Sequence, residues 1–449
     1  MAKVSSKDLG TQPIGKLLIK QAVPASIGIL VMSLNILVDT IFVGNWIGPT
    51  AIAAINVVLP VSFFIAALGM AIGIGGSSII SRALGANNIE KALTTFGNQL
   101  TLTFLFTVTF AIFGLYFVDS LIPAFGGKGN IFDPAKIYYE IILYGVPILG
   151  FVMLGNNVIR AEGKPKFAMY AMLIPSVGNL VLDYLFINVL DYGMAGAAWA
   201  TTGSYVVAFL FILWYFLSEN SELKITTSQF RLDKAIVFEI GSLGFVTLAR
   251  QAVVSVTFLL VNNALYNFGG ETSVTAYAIV GRMMMFVLFP VFGMTQGFIP
   301  IAGFNYGSGA YERVKESIYT AIKFATILGT IVFIGLMLFP ETITKLFTSD
   351  ADVIRETPSN LRWAFAAVPI LALQLIGAAY FQAVGKALPA LLLTLTRQAI
   401  FFIPLMYILP LYFGELGIWM SFPISDVLST IVTGYFLNRE IKKTLVAKI

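Results

Sequence analysis

Two carboxylates set in apolar stretches carry the chemistry open to this chain. Asp39 lies in the run Pro24 to Gly44 (PASIGILVMSLNILVDTIFVG), and Asp183 ends the run NLVLD. Each has an asparagine four residues before it, Asn35 and Asn179. Residues four apart on a helix share a face, so each carboxylate has an amide beside it. An ionised Asp at the centre of a membrane helix costs roughly 2.5–3.5 kcal/mol, so such residues persist where they meet a polar cavity or a partner. Desolvation raises a carboxylate's pKa, and a bound cation lowers it again. A site that swaps a proton for another cation needs that behaviour. The amide serves both states, because it hydrogen-bonds either protonation form and its oxygen ligates Na⁺. The plainer alternative is a capped Asp that only ties helices together, with the asparagines supplying interhelical bonds of about 0.6 kcal/mol each. The sequence has no Cys and no His. Thiolate nucleophiles, disulfides and Cys/His metal sites are therefore excluded, and proton exchange near neutral pH falls to carboxylates.

The elements that hold these residues must be membrane spans. Of 449 residues, 58% are hydrophobic and 11% charged, against about 25% charged in a soluble chain. Apolar runs are expected to form twelve spans, at 16–43, 51–81, 94–118, 137–159, 167–190, 195–217, 236–266, 275–304, 318–340, 360–384, 388–412 and 416–438. The fold class is thus an all-α integral membrane protein. Pro24 and Pro175 lie upstream of Asp39 and Asp183. They are candidate hinges through which protonation could bend a helix, the alternative being static kinks. The polar segment Ser5 to Gln12 ahead of the first long span gives no expectation of a cleaved leader.

Loop charge sets the orientation. Twenty of the 28 Lys and Arg fall on the side that receives both termini and the loop at 218–235, five fall on the other side, and three (Arg250, Arg282 and Arg397) lie within spans. Positive charge stays inside, so both termini and that central loop are expected in the cytoplasm. The same residues recur at a fixed shift. Gly85-Ala86-Asn87 with Glu90-Lys91 matches Gly307-Ser308-Gly309 with Glu312-Arg313, Ala161 to Lys164 matches Ala383 to Lys386, and Gly193 with Gly196 matches Gly414 with Gly417. Six spans per repeat give both halves one orientation. The expected organisation is two pseudo-symmetric six-helix bundles, an N-lobe at 1–222 and a C-lobe at 223–449, with transport by alternating access between them.

The stretch Pro24 to Gly44 resembles the first helix of multidrug and toxic compound extrusion (MATE) transporters. So do Ser81-Arg82-Ala83-Leu84-Gly85-Ala86, Arg160-Ala161-Glu162-Gly163, Asn179-Leu180-Val181-Leu182-Asp183 and Gly196-Ala197-Ala198-Trp199-Ala200-Thr201. The resemblance implies a central cavity and export of organic, often cationic, compounds in exchange for H⁺ or Na⁺. The acidic pair Asp39 and Asp183 is similar to the DinF-like and archaeal branch. On that resemblance Thr201 and Tyr138 join the network, and Na⁺ would be held by Asp39, Asp183, Asn179 and Thr201.

The second half lacks such a pair. The counterpart of Asp39 falls near 259–261 (Leu-Leu-Val), and that of Asp183 is Leu405. Arg397 and Asp426 are expected to pair as a structural unit, since a buried charge needs a partner. Gln251, Met284 and Phe286 are further candidates for structural or substrate contacts, the methionine for its adaptability. Gly73-Ile74-Gly75-Gly76 lies within a span, follows no strand and lacks the Lys-Ser/Thr of a nucleotide loop. The expected function is secondary antiport of small organic compounds by a monomer in the inner (plasma) membrane, without nucleotide, nucleic acid or cofactor beyond the coupling ion. The alternative weighed is a flippase for a lipid-linked substrate, which would favour an arginine-rich cavity. An intramembrane hydrolase is the reading set aside.

Overall fold

The computed structural model describes residues 6–224 and 226–445, apart from the side chains at 285–287. Among these residues the chain is helical, with no strand. The first six long helices are α1 (Ile14–Trp46), α2 (Pro49–Gly85), α3 (Ile89–Tyr116), α4 (Phe132–Ala161), α5 (Pro165–Asp183) and α6 (Gly193–Leu217). The stretch Lys234–Gly307 is interrupted at Gly270, where φ is 63° and ψ −146°. A side chain is strained in that conformation, and glycine is not. The break yields α7 (234–269) and α8 (271–307). Then follow α9 (Tyr311–Leu338) and α10, in two pieces (Ala351–Phe365 and Val368–Ala383) bent by 46°. Next are α11 (Ala387–Leu395), which runs on through a π-helical turn at Thr396–Phe402 to Ile408, and α12 (Glu415–Thr444). Among the described residues ten helices are long and apolar enough to span a bilayer, or eleven with α10 as one bent span. The break at Gly270 divides one of these, which restores the twelve spans read from the apolar runs.

The backbone carries the repeat more clearly than the side chains do. Left-handed residues at Gly48, Asn87, Gly163 and Gly193 are matched by Gly270, Gly309, Gly385 and Gly414. These are turns that close one helix and launch the next, where a left-handed residue satisfies the last carbonyls. Asn87 is the one non-glycine among the eight, and asparagine tolerates this region better than other side chains.

The chain folds as two compact units. One comprises the residues up to Asp8 with Ile27–Thr247, and the other Leu9–Ser26 with Leu248–Ile449. These units differ from the expected lobes at 1–222 and 223–449 in two places. The first half of α1 packs with the second unit, and 223–247 packs with the first. In the first unit α2 lies closely along α4. A methyl group placed on Gly69 would stand 3.0 Å from the Gly150 carbonyl oxygen. Lipid offers no hydrophobic drive for helices to associate, so small residues that admit close packing are what hold such a seam. Around it Val58, Ile65, Tyr139, Leu143, Val146 and Leu149 form a buried cluster. The second unit centres on Trp419, Phe365, Phe402, Met406 and Leu361.

Candidate functional site

The seam between α1 and α5 in the first unit is polar along one line. On α1 the line is Gly28, Asn35 and Asp39. On α5 it is Met172, Ser176, Asn179 and Asp183. These spacings repeat one helical face. At one end Gly28 sits against Met172. In the middle the Asn35 side chain donates to the Ser176 carbonyl at 3.1 Å and to Asn179 Oδ1 at 2.9 Å. At the other end Asp39 and Asp183 stand side by side. Ser176 donates its hydroxyl to the Met172 carbonyl at 2.9 Å.

Asp183 is wholly buried, and its carboxyl group meets no donor except the neighbouring Asp39 carboxyl. The buried Asn179 amide nitrogen is likewise unpartnered. Asp183 is the last α-helical residue of α5, and the chain continues into a π-helical turn, Tyr184–Val189. Such turns interrupt the regular bonding ladder and recur at functional sites. Tyr138 from α4 is buried, with its hydroxyl beside Thr201 and within electrostatic reach of both carboxylates and of Tyr205. Thr201 also donates to the Ala197 carbonyl at 3.1 Å. Asn35, Asp39, Tyr138, Asn179, Asp183 and Thr201 thus converge from α1, α4, α5 and α6.

No Lys or Arg among the described residues neutralises either carboxylate. Two adjacent carboxylates out of water repel unless a proton or a cation lies between them. Among the described residues no group of three or more acidic side chains is placed to hold a metal ion. The donors on offer are two carboxylates, amide oxygens and hydroxyls, a set suited to a proton or a single monovalent cation. Tyr205 was missed in the sequence although it follows Thr201 by four, and Ser176 although it precedes Asn179 by three. Both lay on faces already marked by periodicity.

The motif residue Glu162 does something its sequence did not disclose. It lies in the turn after α4, wholly buried. Its carboxylate accepts from Tyr215 Oη at 2.9 Å, Ser221 Oγ at 2.8 Å, and the backbone nitrogens of Glu222 and Leu223 at 2.6 and 3.2 Å. It therefore fastens the start of the loop joining the halves. Burial pushes its pKa up to about 7, against the lowering effect of those four donors.

The second unit arranges its charges differently. Arg397 Nε donates to Asp426 Oδ1 at 2.6 Å, so α11 and α12 are joined by a buried ion pair. Met406, adjacent to the counterpart Leu405, and Val261 are both core residues. Met284 packs half-buried on the same core, and Gln251 is exposed on α7. The side chain of Phe286 lies outside the described residues. Pro24 is buried within an unbroken α1, two residues before the helix passes from one unit to the other; Pro175 lies within α5.

The model of the family described as MatE matches twice, over residues 24–185 and 247–408. The chain belongs to the MATE family of transporters. Over 439 residues it is 25% identical to a FAD transporter of Shewanella oneidensis, covering 95% of each chain. It is 24% identical over 407 residues to the multidrug export protein MepA of Staphylococcus saprophyticus, covering 91% of this chain and 90% of that one. A crystal structure of MATE in the bent conformation superposes with a TM-score of 0.93 at 30% identity, covering 99% of both chains. As a MATE transporter the chain is a multidrug-efflux type of membrane protein, and its two family matches coincide with its two repeats.

Proposed function

We propose that this chain is a secondary antiporter that exports small organic compounds, mostly cationic or amphipathic, in exchange for H⁺ or Na⁺. It acts as a transporter rather than an enzyme, as a monomer in the plasma membrane with both termini inside. The observation that carries the reading is the Asp39–Asp183 pair, Asp183 wholly buried and Asp39 partly so, with no counter-charge. The pair takes one positive charge from outside, with Asn35 and Asn179 bonding to either state and Tyr138 and Thr201 closing the cluster. H⁺ is the principal ion in this reading, and Na⁺ competes at Asp39, Asp183, Asn179 and Thr201. Coupling stays in the first unit because Asp426 already has its cation in Arg397. Pro24, near the point where α1 changes unit, is the hinge through which charge at Asp39 is transmitted, with Pro175 serving α5. Solved relatives are described in a bent and in a straight conformation, so the fold admits bending.

The force is sufficient. About 1.4 kcal/mol per pH unit and about 2.3 kcal/mol per charge at 100 mV together sustain a gradient of roughly 500-fold for an uncharged cargo, and the pH term alone about tenfold for a monovalent cation exchanged one for one. The test is export of a fluorescent organic cation from proteoliposomes under ΔpH and under ΔNa⁺ separately, repeated with Asp39→Asn and Asp183→Asn. ΔpH-driven export that falls at least tenfold in both variants is the expected result. Export driven only by ΔNa⁺ keeps the site and changes the ion. Undiminished coupled export in both variants removes the pair from the mechanism. FAD belongs in the same assay as an anionic cargo, since one relative is named for transporting it.

A further inference from the structure

The cytoplasmic end of α12 carries a hollow that the transport reading leaves unused. Tyr435, Asn438, Arg439, Lys442 and Lys443 line it, with a volume of about 410 Å³. All five side chains are exposed. Among the described residues none of the three cations is paired with a carboxylate. Three cations elsewhere at this side are paired with carboxylates: Arg82 and Lys91 share Glu239, and Lys386 pairs with Glu440. Glu440 sits in the same turn as Arg439 yet turns its carboxylate to Lys386 instead.

The same helix face continues towards the bilayer as an apolar stripe. Val427, Ile431 and Tyr435 are 40%, 63% and 63% exposed at successive four-residue steps. At 1.5 Å per residue, Ile431 lies about 16 Å along the helix from Lys442. That distance reaches from the hydrocarbon to the headgroup level, with Tyr435 between them at the depth where tyrosine prefers to sit. The general excess of positive charge inside does not account for the cluster. At a shift of 222 the counterparts of Arg439, Lys442 and Lys443 are Leu217, Asn220 and Ser221, flanked by Glu219 and Glu222. Moreover α6 ends at Leu217, while α12 runs on to Thr444, about one and a half turns past the equivalent level.

We infer that this hollow is a binding site for the headgroup of an anionic phospholipid, held by Arg439, Lys442 and Lys443 with its acyl chain along Val427 and Ile431. Arginine grips a phosphate with two parallel bonds, and the lysines add point charge. Tyr435 and Asn438 supply neutral donors at the rim. The site belongs to the second unit alone, so the lipid contact is as asymmetric as the carboxylate pair.

The experiment is native mass spectrometry of the full chain released from vesicles of phosphatidylglycerol and phosphatidylcholine mixed in equal parts. Wild type is expected to retain phosphatidylglycerol preferentially. The variant Arg439→Gln/Lys442→Gln/Lys443→Gln, whose changes are all at the surface, is expected to lose that preference about tenfold or more, given the pull each cation exerts on an anionic membrane. Removing two outer cations instead (Lys345→Gln/Arg355→Gln) is expected to leave it intact. A triple variant that retains as much phosphatidylglycerol as wild type overturns the inference. So does displacement of the lipid by millimolar glycerol 1-phosphate, which would mark a site for a soluble phosphate. Neither result touches Asp39 or Asp183, so the transport reading stands or falls separately.

Discussion

Glu162 is where a single residue makes a thermodynamic statement. Its folded pKa is about 7, above the ordinary glutamate value of 4.5. The folded state therefore holds a proton that the unfolded chain has lost between those values. The resulting stability is complete below pH 4.5, falls as pH rises through 7, and is absent above it. The amount is on the order of 3 kcal/mol. Glu162→Gln mimics the protonated acid, so its melting temperature should vary less with pH between 4.5 and 7.5 than that of wild type. Parallel pH profiles for the two proteins would place the titration elsewhere. The Asp39–Asp183 pair works by the same physics with a different outcome. Glu162 is surrounded by four donors and has a structural task, whereas Asp183 meets only the Asp39 carboxyl and remains available. The spacing of Asn35 to Asp39 and Asn179 to Asp183 was legible in the sequence. That the two pairs face each other was not, because α1 and α5 are separated by more than a hundred residues of chain.

At the scale of the element, α1 is the informative helix. It is continuous from Ile14 to Trp46, yet its first half packs with one unit and its second half with the other. Pro24 removes an internal hydrogen bond near that transition, which makes bending there cheaper than elsewhere along the helix. Pro24→Ala restores the bond and stiffens α1. Coupled export is expected to fall several-fold, with a melting temperature equal to or above that of wild type. Export at the wild-type rate would leave Pro24 as a static kink. The sequence placed a proline in this helix but offered no sign that α1 is divided between units, since helical periodicity is uninterrupted there. The boundary at 222/223 was read from the repeat and the polar loop. The packing boundary differs because the helices that begin each half lodge their starting segments with the other half.

For the whole molecule, orientation and symmetry are the testable properties. The chain has no cysteine, so one introduced thiol is unique. Thr227→Cys in the loop between the halves is expected to react with a membrane-impermeant maleimide only after the cell is opened. Arg355→Cys, exposed at the start of α10, is expected to react in intact cells. The reverse pattern would invert the topology. Symmetry is kept in the backbone and broken in the charges. Four left-handed turns recur across the halves, while the first unit holds two carboxylates without a cation and the second a carboxylate already joined to Arg397.

What the sequence determined by itself follows from local, additive physics. Apolar runs long enough to cross a bilayer give the twelve helices, and the lysine and arginine bias gives their expected direction. A fixed shift between motifs gives the repeat, and carboxylates in apolar helices mark the residues with a task beyond packing. Tertiary structure alone decided the rest. It brought Asp39 to Asp183, set Tyr205 and Ser176 among them, buried Glu162 under the loop it fastens, and joined Arg397 to Asp426. Each of these depends on which helices become neighbours, and on small residues such as Gly69 and Gly150 that let them approach. Pairings between helices far apart in the chain leave no periodic trace along it, because their energy is shared between two segments and belongs to neither.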